Sequence, residues 1–555
     1  MPFLPVTEEE LGGNPADFVL ITPEAYVDHP SFGHAIISRL IENAGFSVAV
    51  LPQPLCDKDY TRFGKPNVAF CVSGGVVDSM VNNYTVAKRR RDSDCYSEDG
   101  RTGMRPDRAV TVYSRAVRRL YPDAAVIIGG IEASLRRMAH YDYWSDRVMP
   151  SILVDSRADL LMYGMGEKEW WDILEMLKRG IPVKKIKDVA GTAYLSSFEN
   201  LSPKIKEQIE SGAIISCPSF EEVEADKTAF VKAFRIQYEN SNYLSGTSIC
   251  QKHGKEYVVQ NAPARPLTTE EMDRVYALPY MREAHPMYKG KIPAFDEVRF
   301  SITSHRGCFG NCSYCALSYH QGRSVSKRSK ESIVSEATKL TALKDFKGYI
   351  SDIGGPTANF RNPSCEKQLK YGICKDRQCI GYEKCPNLIV DHTDYLDVLR
   401  AVRALPRVKK VFIRSGVRFD YVMYDKNGEF FDELLEYHVS GQLKVAPEHC
   451  CDEVLKLMNK PPFSVYREFA ARYAEKNGEL NKKQYLVPYL ISSHPGCTVP
   501  DAVKLTDYLK SIGYMPEQAQ DFYPTPATKS TCMFYTGIDP DTGEKIYIPR
   551  SAGEK

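Results

Sequence analysis

Short runs of branched apolar residues recur along residues 1–183, each closed by Gly or Pro. Asp17–Thr22, Ser47–Leu51, Asn67–Val72, Ala124–Ile128 and Leu160–Tyr163 have the continuous apolar character of strands buried on both faces of a parallel sheet. Between them the spacing becomes helical. His34–Asn43 puts Ile36, Ile37, Leu40 and Ile41 on one face, and Lys168–Lys178 does the same with Trp171, Ile173, Leu174 and Leu177. Strand and helix in alternation predict an α/β domain built on an open doubly wound parallel sheet, with ligands beyond the carboxyl ends of its strands. Gly74–Gly75, Gly129–Gly130 and Gly164 stand at those ends, where they either make tight turns or leave room for a ligand.

Residues 184–294 are less regular and read as a connecting subdomain. From 295 to 530 the alternation resumes, with strands expected at Val298–Thr303, Gly348–Ile353, Val408–Ile413, Leu443–Ala446, Gln484–Tyr489 and Gln518–Phe522. Helical patterns follow the first five: Ile333, Ala337, Leu340 and Leu343; Leu396, Leu399 and Val402; Leu434 and Leu435; Phe469 and Tyr473; Val503, Leu505 and Leu509. Six β/α steps predict a partial (β/α)6 barrel of TIM type, with function on the loops after the strands. A polar, Lys-rich insertion (357–391) interrupts it, and 531–555 reads as a C-terminal tail.

Composition narrows the class. Of 555 residues, 43% are hydrophobic and 26% charged, and 73 Lys+Arg against 71 Asp+Glu leave a formal charge of +2. These values fit a multidomain globular protein and give no support to an electrostatic DNA binder or a polybasic membrane protein. The basic run Lys88–Arg91 reads as a solvated face, with phosphate or RNA contact as the alternative. With no stretch of about 18 apolar residues and no basic region ahead of an apolar run, the expectation is a cytoplasmic protein with no membrane partner.

In a reducing compartment, clustered cysteines indicate metal or redox chemistry. Of the 16 present, Cys56, Cys71, Cys95, Cys217 and Cys250 are scattered, and Cys450, Cys451, Cys497 and Cys532 lie further on; all nine read as ordinary, mostly buried residues. Cys308, Cys312 and Cys315 form a tight triplet, C-x3-C-x2-C, directly after the first expected barrel strand. Three thiolates in a loop opened by Gly307, Gly310 and Asn311 can wrap one corner of a [4Fe–4S] cubane and leave its fourth iron open. The offsets 0, 4 and 7 also fit one helical face, but the glycines and the preceding strand argue for a loop. Tetrahedral zinc would want a fourth ligand such as His305 or His320.

The triplet, with aromatic Tyr314 before its last cysteine, resembles the hallmark loop of radical S-adenosylmethionine (SAM) enzymes. The segments SHRGCFGNCSYCALSYHQGRSVSKRS, SDIGGPTANF, LKVAPEH and QDFYPTPAT resemble YgiQ-type radical SAM proteins over most of the chain. That resemblance implies a [4Fe–4S] cluster on Cys308, Cys312 and Cys315 whose open iron takes the amino and carboxylate groups of SAM. It implies reductive cleavage of SAM to methionine and a 5′-deoxyadenosyl radical that abstracts hydrogen from a substrate, either a small molecule or RNA. A cytosolic donor such as flavodoxin or ferredoxin would supply the electron. By the same resemblance Tyr314 approaches the adenine, and Gly354 and Gly355 receive the SAM amine, with Pro356 in place of the usual acid so that only backbone carbonyls serve. Ser415 and Glu448 face the ribose and methionine end, and Arg414 or Arg418 the carboxylate.

Cys365, Cys374, Cys379 and Cys385 fall within the long insertion. Four thiols in a segment without its own core predict a second metal, zinc or iron–sulfur, whose binding energy folds the loop. The N-terminal sheet resembles the cobalamin-binding-like domains that precede many radical SAM cores. Asp28-His29-Pro30-Ser31-Phe32-Gly33 keeps the spacing of D-x-H-x-x-G, but Pro30 occupies the position of the cobalt-binding His, so cobalamin would lack its lower ligand. His494–Cys497 and Gln520–Phe522 are expected at the barrel rim, on the substrate side. Two other readings stay open: a non-catalytic iron–sulfur or zinc protein for redox sensing or assembly, and a cobalamin-dependent radical SAM methyltransferase.

Overall fold

A computed structural model describes residues 2–513, 519–551 and 554. The chain forms two compact units, Met1–Arg265 with Leu278–Arg299, and Pro266–Ala277 with Phe300–Lys555.

The first unit is built on a large mixed sheet. Strands β1 (Phe18–Thr22), β2 (Val48–Pro52), β3 (Ala69–Ser73), β4 (Val126–Gly129) and β5 (Leu160–Met162) run parallel in the spatial order 2-1-3-4-5. Every residue of β1 and β2 is buried, because helices cover both faces, and this is why they read as unbroken apolar runs. The helix Gly33–Asn43 buries Ile36, Leu40 and Ile41 as expected. The helix Glu167–Lys178 buries Trp170, Ile173 and Leu174 and leaves Trp171 and Leu177 only partly covered. Trp170 is therefore the core tryptophan, packed edge-to-face on Phe18 with ring centroids 5.6 Å apart.

The segment 184–294 is not a separate connecting subdomain. Its strands β6 (Thr192–Ser197), β7 (Ile215–Ser216), β8 (Ile249–His253) and β9 (Glu256–Gln260) continue the same sheet beyond β5 in the order β6-β9-β8-β7. β5–β6, β6–β9 and β8–β9 are antiparallel. A hairpin at Gly254 (φ 59°) joins β8 to β9, so the strand–helix rhythm that marks the parallel part is missing there.

In the second unit β10 (Ser301–Thr303) pairs with β12 (Asp352–Gly354), and β11 (Tyr349–Ile350) with β13 (Lys410–Val411). A second arc consists of β14 (Gln442–Glu448), β15 (Tyr485–Ser492) and β16 (Ala519–Asp521); these four pairings are all parallel. Five of the six expected strands thus fall within the described residues; of the sixth, Gln518 lies outside them. The stretch 295–299 belongs to the first unit: the helix Pro293–Val298 runs up to the start of the expected strand Val298–Thr303, whose observed part is Ser301–Thr303. Ile333, Ala337, Leu340, Leu396, Leu399, Val402, Leu434, Leu435, Phe469 and Tyr473 meet Ile302, Ile353, Val411 and Leu443 in one core. On the helix Val499–Ser511, Leu505 is buried but Val503 is 53% exposed. The helix Lys529–Thr536, capped by the Thr528 hydroxyl, buries Cys532, Met533 and Phe534. Among the described residues no helix is long and apolar enough to cross a membrane.

Candidate functional site

The triplet sits in a loop, not on a helix. Gly307 takes φ 82°, and a Cβ there would stand 1.9 Å from the carbonyl oxygen of Ser324, so any side chain at this turn would force the loop to shift. Asn311 is also left-handed (φ 46°), and Cys315 precedes the short helix Ala316–His320. The loop is tied down at several points. The amide of Cys308 donates to Gly322 O at 3.1 Å, that of Ser313 to Met458 O at 3.0 Å, and that of Ser530 to Ser313 O at 2.9 Å. Asn459 Nδ2 donates to the carbonyls of Gly310 (3.2 Å) and Asn311 (2.9 Å).

Cys308, Cys312 and Cys315 line one cavity of about 390 Å³, shared with Tyr314, Arg414, Arg418 and Glu448. Burial pushes the Cys308 thiol up, and it pushes Cys315 up to about 12, with the neighbouring Cys312 and Cys308 sulfurs adding to the effect. Three thiolates can coexist here only with a cation among them, which is the donor chemistry of a metal cluster. Polar groups are already aimed at the sulfurs: Thr357 Oγ1 lies 3.4 Å from Cys308 Sγ, and Arg418 Nη1 lies 3.6 Å from Cys312 Sγ. A Cβ on Gly310 would stand 2.5 Å from Arg418 Nη1, so the loop approaches as closely as a glycine permits. The residues present fit a [4Fe–4S] group.

In the same cavity Glu448, the last residue of β14, takes φ 70° and is buried. It accepts the Tyr314 hydroxyl at 2.5 Å, and Lys460 Nζ lies 3.9 Å away. Burial pushes the Glu448 carboxyl up, opposed by Lys460 and the Tyr314 hydroxyl.

Gly354, Gly355 and Ser415 are placed differently from Tyr314, Arg414, Arg418 and Glu448. They are not among the cavity's lining residues, whereas Pro356 and Thr357 are. The Gly354 carbonyl accepts the Ser304 amide at 2.7 Å, and a Cβ on Gly354 would strike Ser415 Oγ at 1.7 Å. Gly355 packs on His305, and the Ser415 amide donates to Asp352 at 3.2 Å. A side chain on Gly354 would meet Ser415 and one on Gly355 would meet His305, so both positions are held small by their neighbours. His494, expected on the rim, is fully buried, its Nε2 2.7 Å from Ser530 Oγ. Thr357, Lys460 and Asn459 were missed by sequence reasoning; only the left-handed helix end at Asn459 carries a local signal.

The quartet cysteines are all half-buried. Cys365 precedes the helix Glu366–Tyr371, Cys379 Sγ donates to Ser364 Oγ at 3.2 Å, and the Cys385 amide donates to Cys379 O at 3.2 Å. Burial pushes the Cys379 thiol up, with the Cys365 and Cys374 sulfurs close enough to add to it.

In the first unit the crevice between the ends of β1 and β3 is the topological switch point. Glu24 spans it. Its Oε1 accepts the Val76 amide at 2.7 Å and Arg105 Nη2 at 3.3 Å, and it fills the space over Gly75, where a Cβ would stand 2.5 Å away. Nearby, Asp28 is paired with Arg39, and the buried His29 ring is held neutral first by burial and then by Arg282. The residues of this motif do not fit a His-ligated cobalamin.

Residues 3–301 match the family described as radical SAM N-terminal, which sets the class of the chain. A UPF0313 protein of Clostridium botulinum (type A2) is 54% identical over 562 residues, covering 100% of this chain and 86% of the relative. One from Clostridium perfringens (type A) is 52% identical over 560 residues, covering 100% and 83%. The chain belongs to this radical SAM family of UPF0313 proteins. Among solved structures, the radical SAM methyltransferase TsrM of Kitasatospora setae, with cobalamin and a [4Fe–4S] cluster bound, is 14% identical with a TM-score of 0.50, covering 94% of this chain and 76% of TsrM. At that identity the likeness is one of fold.

Proposed function

We propose that the protein is a radical SAM enzyme in which Cys308, Cys312 and Cys315 hold a [4Fe–4S] cluster and SAM occupies the adjoining cavity. The two parallel arcs of the second unit are read as parts of one partial barrel around it. The observation that carries this reading is the opening of all three sulfurs onto one cavity that also presents Arg414, Arg418 and Glu448. When bound, the cluster and SAM supply an electron and a 5′-deoxyadenosyl radical able to take hydrogen from a substrate.

The chain's own residues bind, orient and balance charge. Thr357 and Arg418 donate toward the sulfurs. Glu448, fixed by Tyr314, offers acceptors for hydroxyl groups of the nucleoside, and Arg414 at the exposed rim suits a carboxylate. Pro356 stands on the wall where an acid would receive the amine, so backbone carbonyls take that role. The quartet is assigned a second metal, zinc or iron–sulfur, on the strength of four half-buried thiols in one irregular insertion. A flavodoxin or ferredoxin serves as electron donor, in the cytoplasm, and the substrate is a small molecule or RNA.

Anaerobically reconstituted protein is expected to hold about four irons at the triplet and to release 5′-deoxyadenosine from SAM under reduction. Unchanged iron in Cys308→Ala together with no SAM cleavage would refute the assignment. SAM binding at equilibrium separates it from a non-catalytic iron–sulfur or zinc protein, which would take metal and no SAM. Cobalamin-dependent methyl transfer is the second reading, favoured by the 2-1-3-4-5 sheet and opposed by Glu24 across the crevice. Hydroxocobalamin offered to the full chain is expected to wash off.

A further inference from the structure

We infer that His449, Cys450, Cys451 and Cys497 form a binding site for a thiophilic divalent cation of the zinc class, separate from both the triplet and the quartet. A ring nitrogen of His449 and the sulfurs of Cys450 and Cys451 all lie within 4.8 Å of one another. The two sulfurs are 4.0 Å apart, and Cys497 Sγ, from the loop after β15, is 3.6 Å from His449 Nε2. Zinc with Zn–S of about 2.3 Å and Zn–N of about 2.0 Å in tetrahedral geometry spaces neighbouring donors by roughly 3.5–3.8 Å. The two sulfurs are thus close to coordination spacing, and the ring nitrogen is near enough to join them once the Cys451 amide gives way.

The tautomer assigns the roles. His449 Nδ1 accepts the Cys451 amide at 3.0 Å, so the ring proton is on Nε2 and points at Cys497. The Nδ1 lone pair and the sulfurs of Cys450 and Cys451 are the metal donors, with the cation taking that lone pair in place of the amide. Cys497 accepts the Nε2–H and fixes the ring, as an outer partner does in most histidine–metal sites. Binding forms one N–metal and two S–metal bonds and releases the two thiol protons to solvent.

The surroundings suit such a site. His449, Cys451 and Cys497 are buried, and Val454, Leu455 and Met458 pack against the two cysteines, while half-buried Cys450 gives entry and leaves the fourth position to solvent. Its place in the fold gives it a use. Glu448, the residue before His449, turns at φ 70° into the cavity, and a cation at the next three residues would clamp that turn.

The test uses the full chain with the triplet reconstituted, zinc ion as the probe, elemental analysis for zinc and iron, and mass spectrometry of N-ethylmaleimide labelling. Zinc is expected to slow labelling of Cys450 and Cys451 at least tenfold in the unsubstituted chain. Cys450→Ser with Cys451→Ser is expected to lose one zinc per chain while the triplet keeps its iron, and Cys497→Ser to weaken zinc binding about 10–100-fold. Labelling rates indifferent to zinc overturn the site, and this readout needs no variant that might misfold. Loss of all bound zinc in Cys379→Ser with Cys385→Ser would equally overturn it, by moving the zinc to the quartet.

Discussion

Arg418 Nη1 lies 3.6 Å from Cys312 Sγ, held there because Nε and Nη2 of the same guanidinium donate to Asp420 at 2.8 and 2.9 Å. Arg418 and Asp420 are both buried, so the pair is a fixed positive edge delivered to the sulfur, balanced from behind. Removing one partner of a buried pair leaves the other charge uncompensated. Arg418→Met is therefore expected to destabilise the chain by about 3–5 kcal/mol in urea unfolding, and adding Asp420→Asn to recover most of that loss. If the double variant is no better than the single, the pair is not what holds Asp420 in place.

Gly307 makes a second demand on the same loop. An alanine there would adopt a left-handed conformation at a cost of about 1–2 kcal/mol and would also drive its Cβ into the Ser324 carbonyl. The loop must move, and the sulfur of Cys308 moves with it. Gly307→Ala is expected to fold and to retain less than about half of the wild-type iron after reconstitution, as read by iron analysis alongside circular dichroism.

How much of this was legible in the chain depends on the range of the interactions. β1 to β5 were readable because burial on both faces forces continuous apolar runs. β7 and the start of β9 are only partly covered, and their sequences carry no such mark. β11 and β13 pair over only two residues each, inside the longer runs Gly348–Ile353 and Val408–Ile413 that the apolar pattern marks, so their existence was readable and their bounds were not. The triplet was legible because spacing and glycines are local. Thr357 and Lys460 were not, since they reach the cavity from 49 residues beyond Cys308 and 12 beyond Glu448 through tertiary packing. Gly354 and Ser415 show the converse: residue types that suit a ligand are used here against each other.

Glu169 provides a pH-dependent signature in the first unit. It is buried, and burial pushes its carboxyl up to about 8. A folded-state value above the unfolded one, about 4.3, means that the native chain binds the extra proton. Its contribution to stability is full below pH 4.3 and is lost as pH rises through about 8. Glu169→Gln should thus match wild type near pH 5 and become progressively more stable than it up to about pH 8, as followed by thermal melts across that range. A melting difference that stays flat with pH would assign the carboxylate a partner that keeps it ionised.

Asn459 couples the cysteine insertion to the triplet loop. Its Nδ2 holds the carbonyls of Gly310 and Asn311, while its Oδ1 occupies the space over Gly381, where a Cβ would come within 2.0 Å. Gln378, three residues before Gly381, accepts Asn311 Nδ2 at 2.5 Å, so the two loops are joined at two points. Gly381→Ala pushes the amide off the carbonyls without touching a cysteine, and Asn459→Ala removes the amide outright. Each lost hydrogen bond to a buried carbonyl is worth about 1 kcal/mol, so both variants should release triplet iron to a chelator several-fold faster than wild type. Because they act through one side chain, the double variant should be no faster than Asn459→Ala alone. Additive rates would mean that Gly381 acts on the quartet loop by a route that bypasses Asn459, and chelator-release kinetics on the four proteins of the cycle decide between the two.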